Sequence, residues 1–80
     1  MDDAEVTRRI QELADEEHRL ERSHAAAGLS PDELERLRAV EISLDQCWDL
    51  LRQRRARRAG GLDPDGAEAR AEGVVEGYQQ

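Results

Sequence analysis

The sequence predicts an all-α chain: an antiparallel two-helix hairpin with coiled-coil-like packing and a short C-terminal tail, dimerising into a four-helix bundle. Three observations carry this. Two stretches open on capping boxes, both repeat apolar residues in alternating steps of four and three, and a connection of only about three residues separates them.

The first helix is expected over about 3–27. Asp2 stands at its cap, Glu5 completes the box, and Met1 and Val6 sit at the staple positions. Its stripe runs through Val6, Ile10, Leu13, Glu17, Leu20, His24 and Ala27, and Gly28 supplies the left-handed residue that ends it. The second helix is expected over about 31–59. Ser30-Pro31-Asp32-Glu33 places a hydroxyl at the cap, Pro at the first helical position and Glu at the third. Leu34, Leu37, Glu41, Leu44, Trp48 and Leu51 form its stripe, widened by Val40 and Cys47, and Gly60-Gly61 ends it. So short a connection folds the helices back antiparallel. Paired positions then sum to 57 or 58: Leu20 meets Leu37, Leu13 meets Leu44, Ile10 meets Trp48, and Val6 meets Leu51. Residues 1–61 thus form the hairpin and 62–80 the tail. Leu62-Asp-Pro-Asp-Gly is turn chemistry, a short helix is expected at about 66–72, and Val74, Val75 and Tyr78 form the tail's apolar cluster.

Composition narrows the rest. Hydrophobic residues make up 38% and charged residues 39%, with no Phe, one Trp and one Tyr, so bulky apolar material for a thick core is lacking. Chains this short need a further source of stability. The single Cys47 excludes an internal disulfide, which leaves packing against a second copy or the tail. A lone thiol and the acidic start Met1-Asp-Asp-Ala-Glu, with no apolar run behind it, lead us to expect a cytoplasmic protein that spans no membrane.

Several segments together resemble an uncharacterised family of small actinobacterial proteins catalogued only as a domain of unknown function. They are Asp15-Glu-Glu-His18, Leu44-Asp-Gln-Cys-Trp-Asp-Leu-Leu-Arg-Gln-Arg-Arg55 and Val74-Val-Glu-Gly-Tyr78. The likeness spans nearly the whole chain. It implies that the tail belongs to the module, and it brings no activity, substrate or cofactor.

Function is read from four constellations. The first is the seam of Ile10, Leu13, Leu37, Leu44, Trp48 and Leu51, of which a lone hairpin leaves half uncovered; Trp48 is too large for one neighbouring helix to hide. Pairing of two hairpins, or closure by the tail, would bury it. The second is Glu17 and Glu41, two seam carboxylates at one level, with Glu21 and His24 on the neighbouring face. Inward carboxylates with a Glu-x-x-His pair are how four-helix bundles hold metal. Here the residues three after the inward glutamates are Leu20 and Leu44, so a register-fixing role is preferred and metal is the alternative.

The third is the arginine run. The net charge of −7 is spread so that residues 50–59 hold five Arg and no acid, while every other segment is acidic. Arg54, Arg55 and Arg58 are candidates for contact with an anionic partner. The helix dipole and the nearby Asp2, Asp3 and Glu5 favour the cations in place, and no aromatics interleave to stack on bases, so nucleic-acid binding is a second alternative. The fourth is the tail cluster of Val74, Val75 and Tyr78, which can dock on a partner or on its own hairpin. Cys47 has no neighbouring base, and no nucleophile triad, phosphate loop or Cys-x-x-Cys spacing is present. The expectation is a non-enzymatic interaction or accessory module without a cofactor, acting as a homodimer.

Overall fold

A computed structural model describes residues 1–70. Helix α1 spans Asp3–Ala27, helix α2 spans Pro31–Ala59, and a 3-10 turn spans Pro64–Gly66. Among the described residues there is no strand. The chain is an all-α helical hairpin.

Both capping boxes form. The Asp2 carboxylate accepts from the Glu5 amide at 2.8 Å while Glu5 accepts from the Asp2 amide at 3.2 Å. At α2 the Ser30 hydroxyl accepts from the Glu33 amide at 3.2 Å, and the Glu33 carboxylate accepts from the Ser30 amide at 3.0 Å. These bonds satisfy N–H groups that have no partner within the helix. Gly28 adopts φ +76°, which a residue without a Cβ takes at no steric cost, and its N–H closes on the His24 carbonyl. At the far end of α2 the positive φ falls on Gly61 rather than Gly60.

The helices pack in the expected register. Arg54 bonds Asp3, and Glu17 approaches Glu41, both pairs that sum to 57 or 58. Val6, Ile10, Leu13, Val40, Leu44 and Leu51 form the core, with Cys47 and Leu50 packed partly against it. The seam is nevertheless turned on α2. Val40, expected only to widen the stripe, is fully buried, whereas Trp48, expected within it, is 45% exposed. At about 100° per residue, Trp48 lies ~80° around the helix from Val40, and the core includes both Val40 and Leu51. A tryptophan on the rim of a two-helix contact has one neighbour where it needs two. Leu20 and Leu37 are half-buried, and Leu34 is 46% exposed.

The tail departs from expectation. Of the short helix expected at about 66–72, residues 67–70 are not helical and residues 71–72 lie outside the described residues; the chain makes the 3-10 turn and then extends, with Ala67 at φ −70°, ψ 143°. The Asp63 side chain accepts from the Asp65 amide at 2.9 Å and Pro64 fixes the local φ, which sets the turn. Gln53 then takes both backbone groups of Glu68, donating to its carbonyl at 2.6 Å and accepting from its N–H at 3.4 Å. A helix of seven residues has too few internal bonds to compete with that. Residues 67–70 therefore run back along α2, where Gln46 donates to the Arg70 carbonyl at 3.3 Å. Val74, Val75 and Tyr78 lie outside the described residues.

Candidate interaction surface

The arginine run divides into two populations. Arg54 is only 5% exposed. Its Nε donates to Asp3 at 2.6 Å, and its Nη1 donates to Asp65 at 2.9 Å and to the Pro64 carbonyl at 3.2 Å. One guanidinium thereby ties the start of α1, the end of α2 and the turn together. Arg58 donates to the second Asp3 oxygen at 2.7 Å, and Arg57 donates to the Asp63 carbonyl at 2.6 Å. The Arg57 guanidinium occupies the space a Cβ on Gly66 would fill. Hydrogen bonds from Arg54 and Arg58 hold the Asp3 carboxyl below its ordinary range, and the bond to Asp3 raises Arg54 in turn. Of the arginines expected to meet a partner, Arg54 is thus enclosed within the chain and Arg58 is paired at its surface. Arg52 and Arg55 are exposed, and among the described residues neither forms an ion pair.

Asp49 escaped the sequence reading. It is 1% exposed, accepts from Gln53 at 2.9 Å and pairs with Arg70 at 3.2 Å. On α2 it points away from α1, so no seam pattern marks it. Among the described residues, the returning tail covers it. The same tail residues edge a shallow groove of about 250 Å³ lined by Met1, Arg9, Ser43, Gln46, Cys47, Leu50 and Ala69. Burial pushes the Cys47 thiol up, which disfavours the nucleophilic thiolate.

The opposite flank of the hairpin carries the carboxylates. Oxygens of Glu17, Glu21 and Glu41 lie within 4.8 Å of one another. Glu17 is half-buried, and its carboxyl is raised first by desolvation and then by repulsion from Glu21, Glu41 and Asp45. The other two open to solvent, and His24, expected alongside them, is exposed and does not join the group. By contrast Glu16, on the other flank, meets Arg36 through two bonds, one of 2.6 Å, and is lowered by it. Trp48 stands beside the acidic group on α2, and Ile10, Leu13, Leu44 and Leu51 lie beneath in the core.

These features define a class: a small all-α hairpin, locked at its open end by a buried arginine, with an acidic, tryptophan-bearing flank left uncovered by residues 62–70. No helix among the described residues is long and apolar enough to cross a membrane. The family described as Protein of unknown function (DUF2630) matches residues 2–80, and the chain belongs to it. The chain is similar to uncharacterised proteins of Mycobacterium tuberculosis and Mycobacterium bovis, each 48% identical over 77 residues, which cover 95% of this chain and 88% of the relative. The resemblance drawn from the three sequence segments agrees with this. No solved structure matches the chain significantly.

Proposed function

We propose that the chain is a non-enzymatic, cytoplasmic interaction module that works by self-association of its hairpins. The observation that supports this reading most is Trp48. It is the largest side chain of the molecule, it borders the core, and it remains 45% exposed. Burying such a side chain contributes about 1.5–3 kcal/mol, and a second hairpin in a four-helix arrangement supplies the cover. The tail cluster of Val74, Val75 and Tyr78 and the exposed Arg55 stay as contact candidates for a further protein partner.

A second reading, a carboxylate metal site, draws on the convergence of Glu17, Glu21 and Glu41. Nucleic acid is the weaker reading, since Arg54 and Arg58 are each paired with Asp3. Native mass spectrometry of untagged protein purified without chelator separates the first two. A metal-free dimer that Trp48→Ala reduces to monomer is the expected result. A stoichiometric transition metal lost in Glu17→Ala would establish the second reading, and a wild-type monomer would overturn the first.

A further inference from the structure

From the order of charges along α2, we infer that the partner is a second copy docked antiparallel, α2 against α2, about a two-fold axis at Trp48. This rests on the self-association reading and specifies its face and register. Glu41, Asp45, Trp48, Arg52 and Arg55 follow one another in steps of four, three, four and three, the spacing of one helical stripe. Both acids precede the tryptophan and both arginines follow it. Glu41, Trp48, Arg52 and Arg55 are exposed, and Asp45 is half-buried.

A two-fold axis through Trp48 brings each residue opposite the one at the same distance beyond the tryptophan. Glu41 then faces the partner's Arg55, and Asp45 falls within one residue of the partner's Arg52. The two indoles meet at the centre. The contact is isologous, so each charge pair occurs twice and growth stops at the dimer. A parallel pairing would instead set Glu41 against Glu41 and Arg55 against Arg55.

The inference also accounts for four charges of this stripe. Among the described residues neither Glu41 nor Asp45 forms an ion pair, although both lie near Glu17, whose carboxyl is crowded by like charge. Arg52 and Arg55 are likewise unpaired. Elsewhere on the hairpin several charges do have internal partners: Glu16 with Arg36, Asp3 with Arg54 and Arg58, Asp49 with Arg70. These four charges of one stripe, two acids and two arginines, complement each other across the two-fold. Such an arrangement fixes orientation and excludes wrong partners more than it adds affinity, which the indoles supply.

Charge exchange tests it by native mass spectrometry, with circular dichroism confirming helicity. Wild-type protein is expected as a dimer. E41R/D45R makes the stripe wholly basic and R52E/R55E makes it wholly acidic, and each alone should weaken dimerisation roughly 100-fold. Mixed in equal amounts, the two variants should form the mixed dimer, and a chain carrying all four substitutions should again pair with itself. For orientation, in a C47S background, D45C mixed with R52C should give a disulfide-linked mixed pair, whereas each alone stays unlinked. A wild-type dimer that both charge variants retain would overturn this register while leaving self-association standing. So would D45C linking to itself. A wild-type monomer would overturn both.

Discussion

The two ends of the hairpin continue one periodic stripe and reach different outcomes. At the terminal end Val6, Ile10, Leu13, Leu44 and Leu51 are buried, and Arg54 closes over them with Asp3 and Asp65. Towards the loop, beyond Val40, Leu20 and Leu37 are half-buried and Leu34 is exposed. The periodicity is equally regular in both halves. What differs is the stripe's content, which includes Glu17, His24 and Glu41 towards the loop, and a third layer: residues 62–70 return along α2 at the terminal end. Two helices alone cover only the residues that face each other, and a stripe becomes a core where a third element arrives.

The largest test of this contrast is truncation of a leucine in each half. Leu13→Ala should cost about 2–5 kcal/mol in urea unfolding, because a filled, enclosed site is emptied. Leu37→Ala, which already borders solvent, should cost less than about 2 kcal/mol. Equal losses would mean the loop half is as well closed as the terminal half, and the comparison would fail.

Arginine substitutions come next. Arg54→Met leaves Asp65 and the Pro64 carbonyl without their Arg54 bonds and Asp3 with Arg58 alone, so the melting temperature should fall by several degrees. Arg36→Met removes only a solvent-facing pair with Glu16 and should shift it by a degree or so at most. Proteolysis should cut the 62–70 segment faster in Arg54→Met and leave its rate unchanged in Arg36→Met.

Loss of the second capping box is smaller. Ser30→Ala should cost about 1 kcal/mol. Amide exchange should quicken in the first turn of α2 and stay unchanged at the Asp3–Arg54 end if the two ends open independently.

The smallest effect is a difference of sign with pH. Asp3 and Glu16 are held below their ordinary values, so the folded state binds fewer protons than the unfolded chain. Their contribution is present above the ordinary carboxylate range and is lost as pH falls through their lowered values. Glu17 is raised, so the folded state binds its proton more readily. Its contribution is therefore unfavourable at neutral pH and is relieved as pH falls into the window just above its ordinary value. Thermal scans should show a slight gain on moving from pH 7 towards 5, then a decline below the ordinary aspartate range. Glu17→Gln should abolish the gain and keep the decline; a gain that survives would place its source elsewhere.

Much of the fold could be read in advance. Capping boxes are local, so Asp2, Glu5, Ser30 and Glu33 declared both helix starts. Apolar periodicity gave the register that Asp3–Arg54 and Glu17–Glu41 display. The surface was less legible. Arg54 sits in a run of five arginines, and nothing local separates the one that is buried from Arg55 beside it. Asp49 looks like any exposed helical acid until the tail lies over it. Trp48 fits the seam spacing as well as Val40 does, and only the rotation of α2 about its axis decides between them.

The sequence by itself thus determined what depends on neighbours along the chain: two helices, their ends, their length, and the antiparallel pairing a short connection enforces. Tertiary structure alone decided the turn of α2 that exposes Trp48, the burial of Arg54 and Asp49, and the extended path of residues 67–70. Those outcomes depend on a handful of long-range side-chain bonds. Their strength comes from exclusion of water by a third layer, which no local pattern encodes.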